Sequence, residues 1–243
     1  MEEKLITDFF NEENSHWWHI NKRSLIKESI GKKKAAVLVL GIGGGLLCKE
    51  LINSGHNVNG IDIFYPSCRF ASEQFKIKTI VADLEAGIPC ESNRFDVIIL
   101  ADVLEHIAFE SGLLGEMRRC LKAGGEAIIT VPAYEHMWSY WDERLSHKRR
   151  YELKSLRQKI TAAGFSIKKI SYFNSLLYPA VFLFRKIASL SGRNYRKSGS
   201  DFKTSSSKWL TGIALKYYVL ERAFLKHFNL PFGLSILAVC SKQ

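Results

Sequence analysis

Three glycines and one acid within residues 37–62 form the part of this chain best suited to bind a ligand for chemistry. Gly41, Gly43 and Gly45 alternate in a turn after an apolar run, and a backbone without Cβ atoms can pass close under a ligand. Asp62 closes the next apolar run, where a carboxylate can accept hydrogen bonds from both hydroxyls of a ribose. The spacing predicts a strand, a glycine turn, a helix and a second strand that together hold a nucleoside cofactor.

The rest of the chain contains the elements that such a site needs. Short β-rich runs alternate with amphipathic helices, which predicts parallel strands joined by crossover helices. We expect an α/β, doubly wound, Rossmann-like fold with a seven-stranded, mostly parallel sheet and helices on both faces. The predicted strands are 35–40, 58–63, 77–82, 95–100, 126–131, 165–172 and 234–240. Two predicted core helices, 110–121 and 152–163, end at glycines.

The sequence divides into three predicted parts. Residues 1–34 form an N-terminal helical cap, residues 35–172 the cofactor-binding core, and residues 173–243 a helical insertion with the last strand of the core. Within the insertion, we expect apolar helices at 174–190 and 209–228 on either side of a mobile loop, 191–207, rich in Ser, Gly, Lys and Arg. Neither helix has the roughly twenty uninterrupted apolar residues that a membrane span needs.

Composition limits the class of protein. A chain of 243 residues, 47% of them hydrophobic, can bury a full core. It starts MEEKLITDFF, without the basic start and apolar core of a secretory signal, so we expect a cytoplasmic protein. The five scattered cysteines include no CxxC pair, which favours reduced thiols over a zinc or redox centre. The net charge of +11 favours an anionic partner: a nucleic acid, a lipid surface or a phosphorylated substrate.

Five motifs in a fixed order resemble the class I S-adenosylmethionine-dependent methyltransferases. They are the glycine turn, Asp62, Asp83 in VADLEAGIP, the segment FDVIILADVLEH and the segment LKAGGEAIITVP. The turn GIGGGLL departs from the GxGxxG of dinucleotide oxidoreductases, because its third glycine comes one position early. The resemblance covers residues 37–172 and implies S-adenosyl-L-methionine as the cofactor.

The resemblance also implies which residues contact the cofactor, from its methionine end through the ribose and adenine to the sulfonium. They are Gly41, Ile42, Gly43, Gly45, Asp62, Ile63, Asp83, Leu84, Ala101 and Asp102. Val39 departs from the pattern, because the family usually has an acid two positions before the first glycine. A valine cannot accept the hydrogen bonds that this carboxylate organises around the amino-acid end. One alternative is therefore a catalytically silent binding protein with the methyltransferase fold.

Four further residues are candidates for the chemical step. Asp102, Glu105 and His106 stand at i, i+3 and i+4, so a helix after the fourth strand would put them on one face. With His147, they resemble the ExxEH-plus-His cluster of small-RNA 2′-O-methyltransferases and the ExxEH of ubiquinone-pathway O-methyltransferases. That likeness implies a divalent ion, Mg, Mn, Fe or Zn, which would orient an acceptor hydroxyl. Without a metal, Glu105, His106 and His147 are candidate catalytic residues, or Glu105 and His106 only cap the helix and line the pocket.

Two aromatic groups are candidates for acceptor binding. Trp17 and Trp18 lie in the cap, where they either close over the site as a lid or attach the cap to the core. Tyr134 and Trp138 follow the fifth strand, where this fold places acceptor contacts, and we favour substrate binding there.

Two basic segments indicate partners. Arg144 and residues 148–150 could meet phosphate, although such runs are usually solvated. Basic residues beside the apolar helices resemble an interfacial contact with an anionic membrane, which places the protein at the inner face. We therefore expect O-methylation of a small, saccharide or prenyl-type, lipid-linked acceptor. RNA 2′-O-methylation ranks lower, because the sequence shows no recognisable RNA-binding module.

Overall fold

The computed structural model describes residues 10–11, 13–31, 34–190 and 208–243. Its strands are β1 (Ala36–Leu40), β2 (Asn57–Asp62), β3 (Lys78–Val81), β4 (Phe95–Ala101), β5 (Leu121–Pro132), β6 (Phe165–Phe173) and β7 (Ser235–Lys242). They form a seven-stranded sheet in the order β3-β2-β1-β4-β5-β7-β6. The first five strands pair in parallel, and β7 runs antiparallel to both β5 and β6. The predicted fold class is confirmed.

The apolar runs become strands because the sheet is covered on both faces. Successive side chains of a strand point to opposite faces, so a strand buried on both sides is apolar throughout. In β1, Leu38 and Leu40 belong to one buried cluster, whereas Val37 and Val39 belong to the other. The glycine turn that follows β1 is therefore held by a strand packed on both sides.

The helices lie at or near the predicted positions. They are α1 (Trp17–Glu28), α2 (Leu46–Asn53), α3 (Tyr65–Phe75), α4 (Glu110–Cys120), α5 (Tyr140–Arg144), α6 (Leu153–Ala162), α7 (Leu177–Leu190) and α8 (Lys208–Leu225). Helix α7 begins three residues later than the predicted 174, because the amides of Asn174 and Ser175 donate to the Glu221 carboxylate instead. The predicted loop 191–207 lies outside the described residues.

Helix α1 of the cap is attached to helix α8 of the insertion. The rings of Trp17 and Tyr218 stack with centroids 5.6 Å apart. Arg222 donates to the side-chain oxygen of Asn21 at 2.9 Å and pairs with Glu28 at the same distance. Within the part of the chain that the structure describes, we find no helix with the length and apolarity to cross a bilayer.

The sheet order reverses between β1 and β4, which places a crevice at the carboxyl ends of these strands. In open α/β sheets, ligands bind in the crevice at this switch point. Gly41 follows β1, Asp62 ends β2 and Asp102 follows β4. Three residues predicted from separate motifs therefore lie along one edge of the sheet.

Candidate active site

The glycine turn has a backbone that other residues would not tolerate. Gly41 and Gly45 have φ values of 76° and 78°, in the left-handed region. A Cβ on Gly41 would lie 2.4 Å from Cγ2 of Val103. The Gly43 amide donates to Oδ2 of Asp62 at 3.1 Å, so the turn and the predicted ribose ligand are in direct contact.

The residues around the turn fit a nucleoside cofactor. Ile63 follows Asp62 and leaves 68% of its surface exposed, which offers an apolar face that a purine ring can cover. Asp83 is exposed beyond β3, and its Oδ1 accepts from the Glu85 amide at 2.9 Å. Leu84 is buried in the core, and Ala101 is half-buried at the end of β4. The exposed apolar side chain of Ile63, next to Asp62, suits an adenosine better than a bare phosphate.

The predicted helix after β4 is wrong. Asp102 takes a left-handed conformation, with φ 54°, and only a short 3-10 turn, Leu104–His106, follows it. Asp102 therefore does not share a helix face with Glu105 and His106. Its Oδ2 accepts from Lys22 Nζ at 2.6 Å and its Oδ1 from the Thr130 hydroxyl at 2.8 Å. The predicted role of Asp102 as a metal ligand is not supported, because among the described residues only Glu105, His106 and His147 bring ligand atoms together here.

The ion pair between Lys22 and Asp102 fixes the charge at the end of β4. Burial alone would raise the pKa of Asp102, but the Lys22 ammonium and the Thr130 hydroxyl outweigh it and lower that pKa. The same pair keeps the pKa of Lys22 above its ordinary value despite burial. Close to this pair, burial and the Lys22 charge lower the pKa of His19 to about 3. Helix α1 thus brings a charged lysine and a neutral histidine to the site.

Glu105, His106 and His147 meet beside this ion pair, as one ligand atom from each lies within 4.8 Å of the others. Nε2 of His147 is 3.9 Å from Oε1 of Glu105, and the two imidazole rings cross with centroids 4.8 Å apart. The Glu105 side chain is fully buried, and neither of its oxygens has a hydrogen-bond partner among the described residues. Burying a carboxylate without a hydrogen-bond partner costs free energy, and a bound ligand or a proton on Glu105 would reduce that cost.

Asp142 orients His147. Its Oδ1 lies 2.8 Å from Nδ1 of His147, while Arg150 donates to both carboxylate oxygens. Burial would raise the pKa of Asp142, but His147 and Arg150 lower it far below its ordinary value, so the carboxylate is ionised. An ionised carboxylate only accepts hydrogen bonds, so Nδ1 of His147 carries the hydrogen that is donated to Asp142. Nε2 of His147 therefore faces Glu105 and is not used by Asp142.

Glu105 and His106 both favour their uncharged forms. Burial, with the nearby Asp102 charge, raises the pKa of Glu105 well above its ordinary value. Burial and the neighbouring His147 lower the pKa of His106. Glu105 and His106 therefore both resist carrying a charge beside His147, which is a suitable arrangement for moving one proton.

Of the four aromatic candidates for acceptor binding, two are buried and two are half-buried. Trp17 is buried against Tyr218, so it attaches the cap and does not face an acceptor, which corrects its predicted place in the site. Trp18 is half-buried against the main core cluster. Tyr134 is buried and stacks on Tyr172 at 5.0 Å. Trp138 is half-buried at the end of a short 3-10 turn, Glu135–Met137.

Tyr134 begins an aromatic row that leads to the surface. Its ring lies 5.0 Å from that of Tyr178, which lies 5.9 Å from both Phe182 and Phe232. Phe182 and Phe232 are exposed. The row connects the end of β5 with α7 and with exposed aromatic rings.

The basic run after α5 does not offer free charges to phosphate. Lys148 pairs with Glu85 at 2.8 Å, Arg149 with Glu110, and Arg150 with Asp142 at 2.8 Å. Each of these three cations therefore has a carboxylate partner, and the predicted phosphate contact stays a prediction.

Three further residues belong to the site but were not predicted from the sequence. They are Lys22, Thr130 and Asp142. Lys22 stands four residues after Trp18, on the same helix face as a packed tryptophan, and this spacing was an available signal. Thr130 and Asp142 carry no such signal, since a threonine in a strand and an acid in a charged segment are common.

Comparisons with known proteins agree with this geometry. Residues 38–129 match the family described as "Methyltransferase domain". The ubiquinone biosynthesis O-methyltransferase of Maricaulis maris (strain MCS10) is 30% identical over 100 residues, which cover 39% of each chain. The chain thus spans well under two thirds of the length of this relative.

Solved structures share the fold. An S-adenosylmethionine-dependent methyltransferase from Mesorhizobium loti superposes with a TM-score of 0.60 and 13% identity, over 90% of this chain and 96% of that one. A TehB-like SAM-dependent methyltransferase from Corynebacterium glutamicum ATCC 13032 Kitasato gives a TM-score of 0.58 and 18% identity, over 92% and 88%. The family match, the strand order and the glycine turn with its acid agree: residues 38–129 match a methyltransferase domain, and they lie in the fold that S-adenosylmethionine-dependent methyltransferases share.

Proposed function

We propose that the protein transfers the methyl group of S-adenosyl-L-methionine to a hydroxyl oxygen of a prenyl-type, lipid-linked acceptor. The observation that carries the proposal is the meeting of Glu105, His106 and His147 at the carboxyl end of β4, beside the predicted cofactor residues. A hydroxyl must lose its proton as it is methylated, and this cluster can accept one. The O-methyltransferase name of the Maricaulis relative supports the choice of oxygen.

The residues of the chain divide the work between positioning and proton transfer. The cofactor, when bound, supplies a methyl group on a sulfonium, which is transferred by in-line displacement. The glycine turn and Asp62 hold the cofactor, and correct placement supplies much of the acceleration in such reactions. Nε2 of His147, which is left available because Asp142 binds Nδ1, accepts the proton of the acceptor hydroxyl. Glu105 and His106 border the same space and stabilise the hydroxyl in its reactive orientation.

Methyl transfer to matched acceptors tests this function. Purified protein with labelled S-adenosyl-L-methionine should methylate a catechol with a short prenyl tail faster than a saccharide or a short RNA. Faster methylation of RNA would contradict the acceptor class. Calorimetry that shows no binding of the cofactor to folded protein would contradict the enzyme and favour a silent binding protein.

A divalent metal ion is a second candidate occupant of the same cluster, favoured by the two unpartnered oxygens of Glu105. Glu105, His106 and His147 would hold it, and Asp142 would orient His147 as outer carboxylates orient metal-binding histidines. The ion would supply a Lewis acid for the acceptor hydroxyl.

Chelation distinguishes a metal-dependent reaction from proton transfer to His147 without a metal. If an ion is required, dialysis against EDTA should lower turnover at least about tenfold, and Mn, Mg or Zn should restore it. A Glu105→Gln variant should then bind Mn measurably more weakly than the wild-type protein. Turnover that is unchanged after chelation would leave proton transfer by His147 without a metal.

We further propose that the outer face of α7 and α8 binds an anionic membrane. Large apolar side chains are exposed there, among them Leu183 on α7 and Val219, Leu220 and Phe224 on α8. Basic residues accompany them, as Lys216 is exposed and the sequence between the helices is rich in Lys and Arg. Apolar and basic side chains together are typical of helices that lie in a membrane interface. The aromatic row from Phe182 to Tyr134 would lead a lipid-linked acceptor from this face to the site.

A charge on this face should weaken vesicle binding. Leu220→Glu should lower the partition coefficient onto phosphatidylglycerol vesicles about tenfold or more, because a leucine side chain loses its burial and an anion meets anionic lipid. Ile80→Glu changes an equally apolar, exposed residue on β3 and is the matched control. Cosedimentation at low salt gives the measurement. Equal binding by both variants and the wild-type protein would exclude this face as the membrane contact.

A further inference from the structure

The N-terminal segment brings a second carboxylate to the glycine turn. An added Cβ on Gly44 would lie 2.8 Å from Oε2 of Glu13 and 3.3 Å from Cα of Phe10. The Gly44 amide donates a hydrogen bond to the Glu13 carboxylate. The glycine at position 44 therefore allows the segment to pack directly on the turn, with Glu13 against its backbone.

The charge of Glu13 is only partly balanced. Lys22 and Arg23 are near it, but Lys22 pairs with Asp102 at 2.6 Å and the Nε of Arg23 pairs with Glu50 at 2.8 Å. Arg23 also donates to the backbone carbonyl of Glu13 at 2.6 Å, which fixes the residue without using its carboxylate. Burial raises the pKa of Glu13, with Asp62 acting in the same direction, and Lys22, the Gly44 amide and Arg23 oppose it. A cationic group placed beside Glu13 would offset the cost of burying its negative charge.

β1 offers no acid for that purpose. Val39 is apolar, and with 1% of its surface exposed it packs into the cluster on one face of the sheet. The amino-acid end of S-adenosyl-L-methionine carries an ammonium group that needs acceptors when it leaves water. Asp62, which accepts from the Gly43 and Phe64 amides, is assigned to the ribose of the cofactor and not to its ammonium group. Glu13 is the carboxylate that the fold presents on the other side of the turn.

We propose that Glu13, supplied by the N-terminal segment, binds the ammonium group of the methionine end of the cofactor, a role that Val39 cannot fill. The inference rests on the proposed function, since it concerns the cofactor of that reaction. It makes the cap part of the cofactor site and assigns the methionine end, not the adenosine, to Glu13.

Two ligands that differ in the methionine end test the assignment. S-adenosylhomocysteine carries the amino-acid group, whereas 5′-methylthioadenosine lacks it. Glu13→Gln should weaken S-adenosylhomocysteine binding about tenfold or more, the scale of a lost charge-assisted hydrogen bond. Binding of 5′-methylthioadenosine should change less than about twofold, because that ligand has no ammonium group for Glu13 to bind. Isothermal calorimetry measures both affinities, and Glu73→Gln, at an exposed pair on α3, is the matched control.

Each outcome bears on the assignment. Equal weakening of both ligands would mean that Glu13 supports the fold of the turn, and no weakening of either would mean that it does not touch the cofactor; both results overturn the proposal. If Glu13→Gln does not fold, Glu13→Asp keeps the charge on a shorter side chain, and a selective loss for S-adenosylhomocysteine is again expected. Wild-type protein that binds neither ligand would refute the proposed function itself, and this inference with it.

Discussion

A His147→Ala variant should lose about 10²- to 10⁴-fold in kcat, the usual contribution of a general base. The reason is geometric, because Asp142 holds Nδ1 of His147 at 2.8 Å and leaves Nε2 as the proton acceptor in the cluster. The affinity for S-adenosyl-L-methionine should stay within about twofold, since His147 is not among the predicted cofactor residues. Single-turnover methylation of a prenylated catechol gives the rate, and calorimetry gives the affinity.

The control for this variant is His227→Ala, which removes an exposed imidazole beyond α8. Its kcat on a short, soluble acceptor should equal that of the wild-type protein. If His147→Ala retained full kcat, His147 would not be the base, and His106, 4.8 Å away between ring centroids, would be the next candidate.

Among single Gly→Ala variants at the described glycines, Gly233→Ala should lower the free energy of unfolding most. Its Cβ would lie 2.3 Å from the carbonyl oxygen of Phe173 and within 2.9 Å of two other backbone atoms of that residue. Because these atoms belong to β6 itself, no side chain can move aside, and overpacking of this kind costs about 3 kcal/mol or more. For a chain of this length the melting temperature should fall by roughly 6–12 °C, as measured by thermal denaturation.

Gly115→Ala is the matched control for that variant. Gly115 lies within α4, and an added Cβ would have nothing within 4 Å. The same methyl group should therefore raise stability by about 0.5–1 kcal/mol, since alanine favours a helix over glycine. A Gly233→Ala protein that melts with the wild-type protein would show that β6 and the segment before β7 separate easily.

The fold was predictable because its signal is local. The central strands β1 and β4 are short apolar runs that are largely buried, and the glycine turn is recognisable by residue type alone. The region after β4 was not predictable in this way. A helix was expected there, but Asp102 adopts φ 54° and a 3-10 turn follows it. A non-glycine residue in the left-handed region is uncommon, and its cause here is long-range. Lys22 and Thr130, far away in sequence, bind the Asp102 carboxylate.

The site was predictable only in its residue types. Glu105, His106 and His147 were identified from a resemblance, but the role of each depends on burial and on partners from other segments. The full burial of Glu105 and the orientation of His147 by Asp142 follow from how the segment after β5 packs on the end of β4. No spacing in the sequence records that packing.

The position of β7 has a consequence for synthesis on the ribosome. β7 lies between β5 and β6 and pairs with both, although it comes later in the chain than either. During translation, β6 emerges about 60 residues before β7 is available, which corresponds to several seconds at ordinary elongation rates. Throughout that interval β6 has no strand to join and presents unpaired backbone groups, so the nascent chain is exposed to aggregation until β7 inserts.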